Sequence, residues 1–344
     1  TESFNHPLPG RDGETLAVDV ALDGPQDAQN LLIVSSACHG VEGFCGSGVQ
    51  VFALHDSAWR DKARAAGVAV LYIHALNPYG FSHIRRVTHE NVDLNRNFAN
   101  FSQPLPDNAA YRELHDLLLP QAWPPLDATT TALNSWIATH GPLAFQAAVT
   151  GGQYAFADGM FYGGNAPTWS NTTLRQVLRR YGQRARQMAW IDLHTGLGPR
   201  GVGERIFACK NDPVSLHRAR QWWGESVTSI YDGSSSSANL NGLMWLSAYQ
   251  ECPQAQYTGI ALEYGTLPLP EMLEALRAEH WLAQNPTAPA AQAAQIKKQF
   301  RDAFYVDADD WKGMVIAQAR EALYQAVDGL NLRPNRPLAG VLSA

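Results

Sequence analysis

The segment LLIVSSACHGVEGFCG, residues 31–46, runs an apolar stretch into a turn that presents His39 and, three residues on, Glu42, with Gly40 and Gly43 loosening the backbone. Both side chains can point at one spot. A catalytic zinc is held by three such side chains, two His and one Glu being one established set, with a fourth position left for water. The chain has eleven histidines, so a single His-x-x-Glu arises easily by composition. Its position gives it weight: it follows an expected buried strand, and α/β sheets place ligand sites at the carboxyl ends of their strands. A second apolar run, AWIDLHTG, delivers His194 to the corresponding place. Taken alone, His194 reads equally well as a hydrogen-bonded core histidine. Asp192 lies two residues earlier, shares its face on a strand, and can orient the imidazole as an acceptor.

Between these histidines lies NPYGFSHIRRVTHENVDLNRNF, residues 77–98, dense in groups that bind a carboxylate. Arg96 offers a planar fork for two hydrogen bonds to a carboxylate, and the neighbouring Asn95 amide can fill remaining lone pairs. Arg86, with Arg85 beside it, is a further cation able to stabilise an oxyanion, although any one such arginine commonly forms an ordinary ion pair. In TGIALEYGT, Glu263 ends an apolar strand, where a charge is expensive without a partner or a task. A carboxylate there can pair with an arginine or cap a loop; beside an activated water it can take a proton and hand it to a leaving amine.

These residues need a sheet to hold them. Residues 15–22 alternate Leu16, Val18, Val20 and Leu22 on one face, and residues 30–37, 67–73, 189–193 and 258–262 are short, rich in Val, Ile and Leu, and lack alternation. The first predicts a strand covered on one face and the other four predict strands covered on both, with helical patterns between them, which is a layered α/β architecture. Ser170 is positioned to cap a helix carrying Leu174, Val177, Leu178 and Tyr181. Residues 120–126 and 283–295 read as connectors too short to separate domains, and residues 233–238, with four consecutive serines, as a surface or substrate-rim loop. One domain over residues 1–344, with a helical C-terminal layer at about 270–330, accommodates this pattern.

The chain of 344 residues, 45% hydrophobic, can bury a large core. Its net charge of −6 argues against a nucleic-acid or anionic-membrane partner and favours a small soluble substrate. No apolar run approaches the roughly 20 residues that span a bilayer. Four scattered cysteines, with no Cys-x-x-Cys, suit a reducing cytoplasm, with secretion as the alternative if a signal peptide has been removed. No G-x-S-x-G elbow supports a serine hydrolase.

The order His-x-x-Glu, NP…Arg…DLNRNF, DLHT and LEYGT resembles the zinc metallocarboxypeptidase family in its broad sense, which includes carboxypeptidase A, aspartoacylase and succinylglutamate desuccinylase, over residues 30–267. The resemblance implies a three-layer fold with a mixed, twisted sheet between helices. It implies one zinc per chain on His39, Glu42 and His194, Glu263 as general base and acid, and Asn95 and Arg96 gripping a substrate carboxylate. Arg86 would polarise the scissile carbonyl, favoured over Arg85 because it precedes DLNR as the equivalent arginine does in the deacylases. The implied reaction is hydrolysis of an amide beside a free carboxylate, in a small peptide or N-acyl amino acid; a protein that keeps the scaffold and binds without turnover is the alternative. DLHT resembles the deacylase branch and NRNF the peptidase branch. GGQYAFADGMFYGGNAPTWS, residues 151–170, has no match in carboxypeptidase A and is a candidate pocket wall. Tyr249, Tyr231 and Tyr162 are candidates for a substrate-binding tyrosine, none of them assigned.

Overall fold

Strands that carry apolar side chains on both faces must be covered on both faces, and this determines the architecture. The computed structural model describes residues 1–332. Its seven strands are β1 (Glu2–Pro9), β2 (Thr15–Asp23), β3 (Asn30–Ser35), β4 (Val68–His74), β5 (Gln187–Gly196), β6 (Gly203–Phe207) and β7 (Gln256–Gly265), in the order β1-β2-β4-β3-β5-β7-β6. The central four, β4-β3-β5-β7, are parallel and almost wholly buried. The pairs β1/β2, β2/β4 and β7/β6 are antiparallel, so the sheet is mixed, and twelve α-helices among the described residues flank it. This is the expected α/β class.

The five anticipated strands all form, with shifted ends. The first of the four apolar runs stops at Ser35, because Ala37 turns into a left-handed conformation (φ 56°) that starts the His39 turn. Two strands escape sequence detection, both at sheet edges. β1 contains Pro7 and Pro9 and β6 contains Glu204 and Arg205, features that keep an edge from pairing further and that also blur the strand pattern.

Two local expectations need correction. The helix Trp169–Gly182 is capped by Thr168, not Ser170: Thr168 is extended and its hydroxyl accepts from Asn171 N at 3.2 Å, which places Ser170 inside the first turn. The connector at 283–295 shrinks to the five residues between helices Leu269–Gln284 and Ala290–Phe304, since only Pro286 and Pro289 interrupt an otherwise helix-forming Ala/Gln sequence. The connector at 120–126 and the serine loop carry no helix or strand.

Chain order sets where a ligand can sit. From β3 the chain crosses to β4 on one side, and later returns to β5 on the other, so the crevice beyond the carboxyl ends of β3 and β5 is a topological switch point. Helices Gly43–His55 and Asp309–Asn331 pack beneath it against β5, the latter also against β3. The C-terminal helices are tied to the loop that follows helix Pro78–Ser82 through one buried carboxylate. Glu279 accepts from Arg85 Nε at 3.0 Å and from Lys297 Nζ at 2.8 Å, and Lys297 also donates to the carbonyls of His83 and Ile84. Burial alone would raise the Glu279 pKa, but Arg85 and Lys297 outweigh it and hold it below the ordinary value.

A depressed carboxylate pKa contributes stability above the unfolded-state pKa and loses it as pH falls through the folded-state value. Glu279→Ala should therefore lower the unfolding free energy at pH 7 by about 3–5 kcal/mol, because it leaves buried cations unpaired. The difference should shrink below about pH 4, as read by denaturant unfolding at both pH values.

Candidate metal centre and active site

His39 caps a short 3₁₀ turn, Gly40–Glu42, that follows β3. The turn is held from outside by the chain that carries the arginines: Gly40 N donates to Arg86 O (3.1 Å) and Val41 N to Arg85 O (2.9 Å). Gly40 is required here, since a Cβ would lie 2.0 Å from the Gly80 carbonyl carbon. The two arginines then diverge. Arg86 turns inward, whereas Arg85 points away to Glu279 and Asn91 and is not part of the pocket lining.

His194 lies two residues before the end of β5 and pairs across the register with Glu263 on β7, so the sheet itself sets these two side by side. His39, Glu42 and His194 are all buried, and ligand atoms from the three lie within 4.8 Å of one another. The carboxylate of Glu42 is shared: His39 Nδ1 lies 2.9 Å from Oε1 and His194 Nδ1 lies 3.0 Å from Oε2, which also accepts from Thr195 N. Each imidazole meets a second carboxylate on its other nitrogen. His39 Nε2 is 3.1 Å from Asp93 Oδ1 and His194 Nε2 is 2.5 Å from Asp192 Oδ2. Asp192 is itself fixed by the Ser35 hydroxyl, which in turn accepts from the Trp190 indole.

This arrangement tests whether a divalent cation fits. With Nε2–H of His194 donating to Asp192, its Nδ1 presents a lone pair to an oxygen of Glu42, and something positive must stand between them, whereas His39 Nε2 faces both Asp93 Oδ1 and an Arg86 nitrogen that can only donate. The wider charge count agrees. Glu42, Asp93, Asp192 and Glu263 are four carboxylates against two guanidiniums, Arg86 and Arg96, leaving the cluster two positive charges short when the imidazoles are neutral. A divalent ion on His39, Glu42 and His194 closes that deficit, so the residues fit zinc. Without it, protons compensate. Burial disfavours charge on His194, yet Asp192 and Glu42 prevail and hold its pKa well above the ordinary value. Likewise burial would raise the pKa of Glu42, but His39 and His194 keep it far below the usual carboxylate range.

A second group, Cys38, Asp192 and His194, also clusters. It is a poorer site: burial first, then Asp192, Asp93 and Glu42, push the Cys38 thiol well up, and only the thiolate ligates.

Arg86, Asn95, Arg96 and Glu263 gather around the same pocket. Arg86 donates Nε to Asp93 (3.0 Å) and one terminal nitrogen to Glu42 (3.1 Å), places the other 2.9 Å from His39 Nε2, and lies over the Phe161 ring at 5.0 Å. Arg96 donates to the carbonyls of Thr150 and Asn95, with its nearest carboxylate, Asp93, 4.0 Å away. Burial, with Arg86 adding to it against the pull of Asp93, leaves the Arg96 pKa below its ordinary value: it is a buried cation short of an anion. Gly152 (φ 99°) allows this packing, because a Cβ there would sit 2.7 Å from Arg96 Cδ. Asn95 accepts from Met244 N through Oδ1, and its Nδ2 has no hydrogen-bond partner among the described residues. Glu263 accepts from Leu197 N through Oε1 at 2.9 Å; burial, reinforced by Glu42, raises its pKa to about 7.

Several contributors were missed from sequence. Asp93 lies within the DLNRNF motif and binds both His39 and Arg86; its place two residues before Asn95 and Arg96 was the available signal. The Gly/aromatic segment does supply a wall: Phe161 lines the pocket, Tyr162 O accepts from Asp93 N, and the Tyr154 hydroxyl donates to Arg96 O. Ser237 of the serine loop also lines the pocket, whereas among the described residues no tyrosine does. The Tyr231 hydroxyl donates to Cys209 O, and that of Tyr249 accepts from Lys210 N.

By its sequence the chain belongs to the family described as protein of unknown function (DUF2817), whose model matches residues 1–318. No curated protein matches it. Among solved structures it is similar to bovine thrombin-activatable fibrinolysis inhibitor in complex with tick carboxypeptidase inhibitor, with 11% identity, 96% of this chain and 90% of that one covered, and a TM-score of 0.45. It is similar to carboxypeptidase A from Helicoverpa armigera at 12% identity, covering 88% and 69%, with a TM-score of 0.43. It is also similar to the murein-tripeptide amidase MpaA of Escherichia coli O157 at 13% identity, covering 86% and 91%, with a TM-score of 0.36.

Because Asp192 orients His194 and sets its tautomer, Asp192→Asn should weaken zinc binding roughly 10–100-fold, measured by competition with a chromophoric chelator. An unchanged affinity would remove Asp192 from the site.

Proposed function

We propose that this protein is a zinc-dependent hydrolase that cleaves an amide bond adjacent to a free carboxylate, in a small peptide or an N-acyl amino acid. The observation that carries the reading is the buried His39–Glu42–His194 cluster, with ligand atoms within 4.8 Å of one another, directly beside the Glu263 carboxylate, whose pKa is raised to about 7. One zinc per chain on those three side chains would supply a water of pKa about 7 and a Lewis acid for the substrate carbonyl.

The chain's own residues do the rest. Arg96 and Asn95 take the substrate carboxylate, which satisfies the under-compensated guanidinium and fixes the scissile bond over the site. Arg86, rigidly held by Asp93 and Glu42, keeps spare N–H donors for the oxygen that gains charge as water adds to the carbonyl carbon. Glu263 removes the proton from the attacking water. With Oε1 already bound to Leu197 N–H, Oε2 is the oxygen that receives it. As the C–N bond breaks, Glu263 returns the proton to the leaving amine. Water excluded by Phe161, Leu197 and Met272 strengthens each of these interactions.

Four free, buried cysteines suit a reducing compartment, and among the described residues no helix is long and apolar enough to cross a membrane. Both are compatible with a cytoplasmic enzyme acting on a small substrate.

Hydrolysis of N-acyl amino acids and dipeptides should be abolished by chelator and restored by zinc; turnover indifferent to chelator would overturn the metal's part in it. Glu263→Gln should reduce kcat by roughly 10²–10⁴-fold while leaving zinc binding intact. Near-normal activity in that variant would exclude the role. Since Glu263 acts as the base, kcat/KM should rise with pH through its ionisation. A neighbouring cation favours the carboxylate, so the acid limb should fall at or below about pH 7 and vanish from the residual activity of Glu263→Gln.

A further inference from the structure

A second cavity lies between the β1–β2 hairpin and the loop that follows β4, and Glu14, Asp19, Phe44, His74 and Phe81 are among its walls. It shares no lining residue with the metal pocket. His74 ends β4 and pairs across the register with Asp19 on β2, so the two side chains stand as neighbours on one face of the sheet. The imidazole has its tautomer fixed from within. Gln50 Nε2 donates to the carbonyls of Val34 (2.9 Å) and Ile73 (3.0 Å), which leaves Gln50 Oε1 to accept from the Ser36 hydroxyl at 2.8 Å. The Ser36 oxygen must then accept from His74 Nδ1, 2.7 Å away. Burial, against the pull of Asp19, lowers the His74 pKa and keeps the ring neutral at pH 7, so its Nε2 carries a lone pair. That nitrogen has no hydrogen-bond partner among the described residues and, on a half-buried side chain, is not enclosed, so it is open to the cavity.

The charge and the floor of the cavity point the same way. Asp19 is exposed and accepts from the Ser3 hydroxyl at 2.5 Å, and Glu14 accepts from Ser82. Neither carboxylate has an ion-pair partner among the described residues, whereas Arg11, in the same lining, is already paired with Asp12 at 3.2 Å. Beneath them Phe44 and Phe81, both half-buried, meet edge to face with ring centroids 5.1 Å apart, and Phe81 meets the His74 ring in the same way at 5.2 Å. An open lone pair, carboxylates without a cation and accessible phenyl rings favour one kind of ligand, an ammonium that still has N–H donors; an anion would be repelled.

We propose that this cavity binds a primary ammonium carried on an aryl body, the ammonium donating to His74 Nε2 and Asp19 and the body lying against Phe44 and Phe81. Nothing in this site depends on the hydrolase reading above. The probe is phenethylamine, protonated at about pH 7.5, titrated into the full chain by calorimetry. It should bind at least roughly tenfold more tightly than phenylpropionate, which reverses the charge on a similar body, and roughly tenfold more tightly than its N-trimethylated analogue, which keeps the charge but has no N–H to donate. Asp19→Asn, at an exposed position that keeps the acceptor for Ser3, should weaken phenethylamine roughly tenfold, and His74→Phe should weaken it at least as much, with thermal unfolding of each variant confirming that it is folded. Should His74→Phe fail to fold, Asp19→Asn decides alone. No binding of phenethylamine, equal affinity for phenylpropionate or for the trimethylated analogue, or an affinity unchanged by Asp19→Asn would overturn the proposal.

Discussion

The carboxylate of Glu42 lies between two imidazoles, each backed by an aspartate, and the rest of the site is arranged around that fact. Four carboxylates cannot share a buried pocket with two guanidiniums unless further positive charge is present, as metal or as protons. The pKa directions express the same constraint from different residues. His194 is driven towards its charged form, Glu263 towards its neutral form, and Arg96 lacks a close anion of its own. A divalent cation at the imidazoles and an anionic substrate at Arg96 would relieve these strains at opposite ends of one pocket.

The sheet makes the cluster affordable. β3, β5 and β7 are adjacent and parallel, so the turn after β3 and the ends of β5 and β7 deliver His39, Glu42, His194 and Glu263 from rigid elements to one crevice. The carboxylate-binding pair and Arg86 arrive on irregular backbone, and that backbone is fixed by other means. Gly40 and Val41 hold the carbonyls of Arg86 and Arg85, Tyr162 holds Asp93, and Tyr154 holds the carbonyl of Arg96.

Much of this was legible because the residues that meet in the crevice sit at the ends of apolar runs, and an apolar run buried on both faces is the clearest strand signal a sequence carries. The less legible parts are those decided by long-range contacts. Arg85 and Arg86 are adjacent and chemically identical; Glu279, 194 residues away, draws Arg85 off to the other side. Asp93 shows no task within its motif, because one of its partners, His39, comes from a turn that only the sheet brings near. Edge strands β1 and β6 went unseen for a related reason: prolines and charges that protect an edge also erase its pattern.

Two overlapping triads share His194, one with His39 and Glu42 and the other with Cys38 and Asp192, and the account depends on the first. The most direct test is a crystal structure of the zinc-loaded protein with anomalous data collected on both sides of the zinc absorption edge. A single peak about 2.0–2.2 Å from His39 Nδ1, His194 Nδ1 and a Glu42 oxygen is the predicted result. A peak at Cys38 and Asp192, or none at fully loaded stoichiometry, would contradict it.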